Sequence, residues 1–123
     1  MVEAYKQFTF EAAHALPPHS PLHGHTFRID VVFSGDADPE FGWCENLDAA
    51  DARIQDVRGR LDHTCLNDIE GLEKPSLENL ARWIYDRLAQ TFPETLDRIS
   101  VTRGPDGMSE GCTYRGQRKL SAA

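Results

Sequence analysis

The sequence contains no long apolar run and no cluster of basic residues. No stretch approaches the roughly 18 consecutive apolar residues of a membrane helix, and the N-terminus lacks the regions of a secretion signal. The formal net charge is −7, and lysines and arginines are scattered rather than grouped. A nucleic-acid-binding surface needs a basic patch. We therefore expect neither a membrane nor a nucleic acid as a partner.

Cysteine is also scarce. The three cysteines, Cys44, Cys65 and Cys112, are odd in number and form no CxxC pair. This usage argues against a disulfide framework and favours a reducing compartment, so we predict a cytoplasmic protein. The 123 residues suit a single domain, 1–123, and an apolar fraction of 40% allows one modest core.

The pattern of apolar residues predicts two strands, two helices and two further strands. Alternation along the chain, such as Phe8 and Phe10 against Thr9 and Glu11, is typical of strands. The predicted strands cover residues 4–15, 23–34 and 98–103 and a segment that begins at 112. A link rich in proline, residues 17–21, separates the first two.

Each predicted helix follows a good N-cap residue. Asn46 precedes the first helix, whose expected end is Gly59, and Ser76 precedes the second, which is expected to reach about Thr91 before Pro93. The order ββααββ predicts an α+β fold: an antiparallel four-stranded sheet with both helices on one face. Such a sheet leaves exposed edges, which is a reason to expect a homo-oligomer.

Three of the five histidines lie in the first two predicted strands. His23 and His25 are two residues apart, so they project from the same face of a strand. If the preceding strand pairs with theirs as a hairpin, His14 joins them. Three imidazoles with one open position are typical of a catalytic zinc site, which makes Zn²⁺ the expected cofactor. The alternative is that they are ordinary polar strand residues.

The polar stretch 61–68 predicts a loop that contains an adjacent acid and imidazole. In such a pair, Asp62 orients or stabilises His63, which serves as a general base. A solvated loop is the simpler interpretation of a dipeptide on its own. Cys65, two residues further on, is the nearest candidate thiol in sequence, and a small buried residue is the simpler interpretation.

Six motifs occur in one order along nearly the whole chain. They are Phe-x-x-x-His at 10–14, Leu-His-Gly-His-x-Phe at 22–27, Gly-Trp at 42–43, Leu-Asp-His-x-x-Leu-Asn at 61–67, Gly-Leu-Glu-x-Pro-x-x-Glu-Asn-Leu-Ala at 71–81 and Cys-x-Tyr-Arg-Gly at 112–116. Together they resemble the 6-pyruvoyltetrahydropterin synthase family, which includes the bacterial 6-carboxytetrahydropterin synthases of queuosine biosynthesis.

The resemblance implies the tunnelling fold, in which the sheets of several subunits close into a barrel with the helices outside. It implies zinc at His14, His23 and His25, and active sites between neighbouring subunits. The implied substrate is 7,8-dihydroneopterin triphosphate or a related pterin, whose hydroxyl and carbonyl oxygens zinc polarises. Asp62 and His63 match the family's catalytic pair. A cysteine base and a glutamate that anchors the pterin ring complete the family's site.

The sequence departs from the family at the last two positions. His19 stands where the cysteine is expected, and it is a candidate base, a candidate fourth zinc ligand or a solvated loop residue. Arg103 stands where the anchor is expected, and a guanidinium only donates hydrogen bonds, so it suits a carboxylate or phosphate. Glu110 or Asp106, in the longer following loop, is a candidate anchor or a surface-turn residue.

Two hypotheses follow. The first is a zinc-dependent lyase acting on a pterin-type substrate. The second is a divergent paralogue with an intact zinc site, a different ligand and little or no synthase activity. His19 and Arg103 are the residues that discriminate between them.

Overall fold

The structure is a computed structural model that describes residues 1–105 and 107–116. In chain order its elements are β1 (Val2–Leu16), β2 (Ser20–Gly35), α1 (Leu47–Leu61), β3 (Thr64–Cys65), a single 3₁₀ turn (Leu66–Asp68), α2 (Leu77–Ala89), β4 (Leu96–Arg103) and β5 (Glu110–Tyr114). The predicted α+β class and the order of the main elements are confirmed.

The described part of the sheet has five strands in the order β3-β1-β2-β4-β5. The four long strands pair antiparallel as predicted, but β3 is an additional strand that runs parallel to β1. The expectation of four strands was wrong here because two residues are too few to show an alternating pattern. A hydrogen bond of 2.6 Å from the His63 N–H to the Glu11 carbonyl attaches this segment to β1.

The hairpin of β1 and β2 is longer than predicted. β2 begins at Ser20, so the link between the strands is reduced to a turn at residues 17–19, and Pro21 lies within the strand. The last strand also begins two residues early, at Glu110. Both extensions matter for the site, because they bring loop residues into defined positions beside β1 and β4.

The core lies between the helices and one face of the sheet. Phe10 and Phe27 are directly opposite each other in the register, and their rings stack with centroids 5.1 Å apart. Helix α1 packs on β1, and α2 packs on β4 and β5. The predicted arrangement of both helices on one face is therefore confirmed, and burial of these apolar faces supplies the main driving force for folding.

The predicted N-caps are also confirmed. The Asn46 side chain accepts hydrogen bonds of 3.1 Å from the N–H groups of Asp48 and Ala49, and the Ser76 hydroxyl accepts one of 3.1 Å from Asn79. Gly59 does not end the first helix, because α1 continues to Leu61, whose side chain is fully buried. Within residues 1–105 and 107–116, neither helix has the length and apolarity needed to cross a bilayer.

Candidate metal centre and neighbouring site residues

Three histidine rings converge at the turn end of the β1–β2 hairpin, on the face that carries the helices. His14 pairs directly with His23 in the register, and His25 follows two residues later on the same face. Their ring centroids are 4.8, 5.2 and 4.6 Å apart. One nitrogen from each ring can be chosen so that all three lie within 4.8 Å of one another. This spacing is suitable for one metal ion.

Backbone carbonyls orient two of these rings. Nδ1 of His14 lies 2.9 Å from the carbonyl oxygen of Pro75, and Nδ1 of His23 lies 2.6 Å from that of Pro21. A carbonyl can only accept, so each Nδ1 carries the proton and donates it. The lone pair of each ring is then on Nε2, the arrangement that outer hydrogen bonds commonly impose on metal-binding histidines.

The third ring has an unpaired nitrogen. Nε2 of His25 is buried and has no hydrogen-bond partner among the described residues. Buried polar atoms without partners are rare in folded proteins, and a bound cation would satisfy this one. Three imidazole nitrogens, two held in the required tautomer and one unpaired, therefore fit a divalent transition metal.

The surroundings of His14 and His25 favour their neutral forms. Burial lowers the pKa of His14 and of His25, and the charge of Arg103 lowers both further, while the bond to Pro75 acts in the opposite direction on His14. A neutral imidazole is the form that binds a metal.

Arg103 lies beside the cluster and pairs with Glu110. Its Nε and Nη2 atoms donate to Oε1 of Glu110 over 3.1 and 2.9 Å, and its Nη1 lies 3.3 Å from Nε2 of His14. Arg103 on β4 and Glu110 on β5 are directly opposite each other in the register. Glu110 is thus a strand residue rather than part of a surface turn. Asp106, the other candidate anchor, lies outside the described residues.

Asp62 and His63 form a pair at the end of α1. Oδ2 of Asp62 lies 3.0 Å from Nδ1 of His63, and its Oδ1 accepts a 2.9 Å hydrogen bond from the Glu11 N–H. This backbone bond first, and then the bond to His63, lower the pKa of the Asp62 carboxyl. His63 has a φ of 61°, an uncommon conformation that is often found at functional sites.

The Asp62–His63 pair lies beside strand residues that alternate with the cluster histidines. His63 lines a cavity of about 440 Å³ together with Glu11, Gly24, Thr26 and one cluster residue, His25. Glu11, Gly24 and Thr26 project from the face of the hairpin opposite the helices. The lining of this cavity includes His25 but neither His14 nor His23.

The remaining candidate residues lie outside the cluster. His19 is exposed in the hairpin turn, where its N–H donates to the Leu16 carbonyl over 2.7 Å. Cys65 is half-buried, with its Sγ 3.8 Å from Oδ1 of Asn67. In the part of the chain that the structure describes, neither belongs to the group of residues that could hold a metal.

Sequence reasoning missed three supporting residues. Two are Pro21 and Pro75, which act through backbone carbonyls and so leave no side-chain signal. The third is Asn67, whose amide bonds to the backbone of Ala15, next to His14. The motif Leu-Asp-His-x-x-Leu-Asn contains this asparagine, and that was the available signal.

The fold and the site together define an α+β domain with a candidate three-histidine metal centre on a long hairpin. The model of the 6-pyruvoyl tetrahydropterin synthase family matches residues 3–117. The chain belongs to this family, and the resemblance that the motifs suggested is confirmed.

Relatives in the family carry more than one activity. The chain is similar to 6-carboxy-5,6,7,8-tetrahydropterin synthase of Synechocystis sp., with 38% identity over 106 residues, covering 79% of this chain and 82% of the relative. It is also similar to dihydroneopterin monophosphate aldolase of Pyrococcus furiosus, with 34% identity over 100 residues and coverages of 78% and 84%.

A solved structure supports the fold independently. The 6-pyruvoyl tetrahydropterin synthase of Caenorhabditis elegans superposes with a TM-score of 0.84 at 23% identity, and the match covers 94% of this chain and 96% of that one. At this identity the likeness concerns the architecture alone.

Proposed function

We propose that this protein is a zinc-dependent lyase that acts on the side chain of a phosphorylated dihydropterin, such as 7,8-dihydroneopterin triphosphate. The observation that carries the proposal is the convergence of His14, His23 and His25, with the ring protons of two directed at carbonyls and Nε2 of the third unpaired. Zinc bound there would supply a Lewis acid that polarises substrate hydroxyl and carbonyl oxygens. The names of the relatives supply the substrate class.

Asp62 and His63 are the proposed proton-transfer pair. The Asp62 carboxylate accepts a hydrogen bond from the Nδ1–H group of His63, so Nε2 of the ring is free to take a proton and return it. The His63 side chain is 78% exposed, which leaves Nε2 accessible to a substrate carbon or oxygen. His19, also exposed, is the proposed second base in place of the family cysteine.

We propose that a second copy of the chain completes each site. Within one chain the cavity that His63 lines includes only His25 of the three cluster histidines, and the strand residues beside His63 project away from the face that carries the cluster. Assembly of a homo-oligomer through the sheet edges would bring one copy's pair towards the next copy's cluster. We expect this assembly to work in the cytoplasm, where the three half-buried cysteines stay reduced.

Arg103 and Glu110 are the proposed substrate-binding residues. Arg103 directs both of its bonds to Oε1 of Glu110, and no described residue donates to Oε2. The Glu110 carboxylate therefore retains acceptor capacity for the amide and amine donors of a pterin ring. Arg103 would contact an anionic part of the substrate.

The second candidate function is ligand binding with little chemistry. It is favoured by the exposed position of His19 in the hairpin turn and by the arginine at the anchor position. A protein of this kind would keep the metal and bind a different ligand.

Incubation of the zinc-loaded protein with dihydroneopterin triphosphate and, separately, with the monophosphate decides between the two. Products are separated by chromatography and identified by mass. Zinc-dependent loss of the side chain from either substrate, abolished in a His23→Ala/His25→Ala double variant, supports the lyase. Tight binding of a pterin without conversion of either compound supports the second candidate.

A further inference from the structure

We propose that Arg103 is a specificity-determining residue that selects ligands carrying an anionic oxygen group, a phosphate or a carboxylate, at the mouth of the histidine cluster. The inference deepens the proposed function, because it rests on metal binding by His14. It assigns to this chain a substrate preference that a glutamate at the same position would oppose.

Hydrogen bonds to Glu110 hold two of the three nitrogens of the Arg103 guanidinium. Its Nε and Nη2 atoms both donate to Oε1 of Glu110, across the directly paired ends of β4 and β5. The Arg103 side chain is only 20% exposed, so most of its length is held by protein. The remaining nitrogen, Nη1, therefore points in one direction, towards His14.

Nη1 of Arg103 and a metal would compete for the same lone pair. Nδ1 of His14 donates to the Pro75 carbonyl, so the ring has one acceptor, Nε2, and Nη1 lies 3.3 Å from it. This nitrogen is also the atom that His14 can offer to a metal. Once a metal takes the lone pair, the Nη1 donor has lost its acceptor in a largely enclosed place.

Charge determines which new acceptor is suitable. Arg103 and Glu110 neutralise each other, and imidazoles bind a metal in their neutral form, so a divalent ion leaves the loaded site with a net positive charge. A group that approaches the metal from the Arg103 side meets both the dication and an unpaired N–H. An oxyanion can bind both and also offsets the positive charge, whereas a neutral hydroxyl leaves that charge in place.

The alternative role for Arg103 is purely structural, as a tie between β4 and β5. It predicts that removal of the guanidinium lowers stability without changing the preference of the loaded site for anions. The two roles therefore differ in a binding measurement that needs no turnover.

The test measures binding of inorganic phosphate, and of acetate as a carboxylate probe, to the cobalt-substituted protein, whose visible spectrum reports ligands at the metal. Arg103→Gln is compared with wild type and with Arg28→Gln. Arg28 is a matched control, because it is also a partly buried arginine close to the β4–β5 turn, where it donates to the Gly104 carbonyl over 2.9 Å. Neutral imidazole serves as the uncharged probe.

We expect the phosphate Kd of Arg103→Gln to rise by about 10-fold or more, as for loss of a hydrogen bond between charged groups. Arg28→Gln should stay close to wild type, imidazole binding should not weaken in either variant, and Arg103→Lys should recover part of the phosphate affinity. An unchanged phosphate Kd in Arg103→Gln overturns the proposal. So does a wild-type spectrum that millimolar phosphate does not change, a result that does not depend on any variant folding.

Failure of the proposed function has a different signature. A protein that binds cobalt and responds to phosphate through Arg103, but converts no pterin, supports this inference and contradicts the lyase. A protein that binds no metal at all overturns both.

Discussion

The Asn67 side chain pairs with the backbone of Ala15 in the way a neighbouring strand would. Its Oδ1 accepts from the Ala15 N–H and its Nδ2 donates to the Ala15 carbonyl, each over 2.9 Å. The amide continues the contact between β3 and β1 beyond the two residues of β3. It thereby fixes the backbone immediately after His14.

We expect Asn67→Ala to lower the free energy of unfolding by about 1–3 kcal/mol, because it leaves two partly buried backbone groups of Ala15 without partners. Urea unfolding of the metal-free protein measures this. Gln90→Ala, at an exposed position, is the control and should change stability by less than about 0.5 kcal/mol. Equal stability of the two variants would show that water replaces the amide without cost.

The histidine cluster predicts one zinc per chain. Elemental analysis of the purified protein should find this ratio, and the His23→Ala/His25→Ala double variant should lose the metal because only one of three ligands remains. His63→Ala is the matched control, since His63 pairs with Asp62 rather than joining the cluster, and it should retain zinc in full. Full zinc in the double variant would rule out this site.

The proposed division of the site between copies predicts complementation. Light scattering at micromolar concentration should find an oligomer, and His63→Ala and the double variant should each be inactive alone. When the two are co-expressed, random assembly leaves about a quarter of the sites with an intact cluster and an intact pair, so about that share of activity should return. A monomer, or no recovery in mixed oligomers, would contradict the proposed assembly.

The resemblance implies a cysteine base and a glutamate anchor where this chain has His19 and Arg103, and this difference predicts slow synthase chemistry. His19 is exposed in the turn and Arg103 is paired with Glu110, so turnover of dihydroneopterin triphosphate to a pyruvoyl or carboxy product should fall below the usual ~1–10³ per second. Chromatography of the pterin products measures this rate, with the Synechocystis relative as the positive control. A turnover within the usual range would show that other groups fully replace the two residues.

The position of His19 predicts that His19→Ala leaves the zinc content unchanged, because His19 lies outside the cluster. A lower lyase rate with unchanged zinc would assign it the role of base. Weaker zinc binding would identify a fourth ligand and contradict this expectation. No change in either quantity, with a substrate that wild type converts, would identify a solvated turn residue.

Local signals in the sequence predicted most of the fold. The alternation around Phe8 and Phe10 identified β1, and the caps Asn46 and Ser76 located both helices. These signals work because each depends on neighbours within a few residues. The ends of elements were less accurate: α1 runs past Gly59, where a buried Leu61 outweighs the glycine's preference for ending a helix.

The site was predictable where it followed from strand geometry. Spacing alone placed His23 and His25 on one face, and antiparallel pairing added His14. The contact of Arg103 with Glu110 and His14 was not predictable, since it depends on the register of β4 against β5 across a long turn. The same holds for His63, whose backbone conformation is imposed by its bond to Glu11 rather than by its neighbours in sequence.

The two carbonyls that orient the cluster both belong to prolines. Pro21 lies within β2 and Pro75 directly precedes Ser76, the N-cap of α2, so regular structure holds both carbonyl acceptors once the chain has folded. The rings of His14 and His23 consequently lose their rotational freedom during folding, before any ion arrives. Metal uptake should then need little reorientation of these two rings, which makes them preorganised ligands.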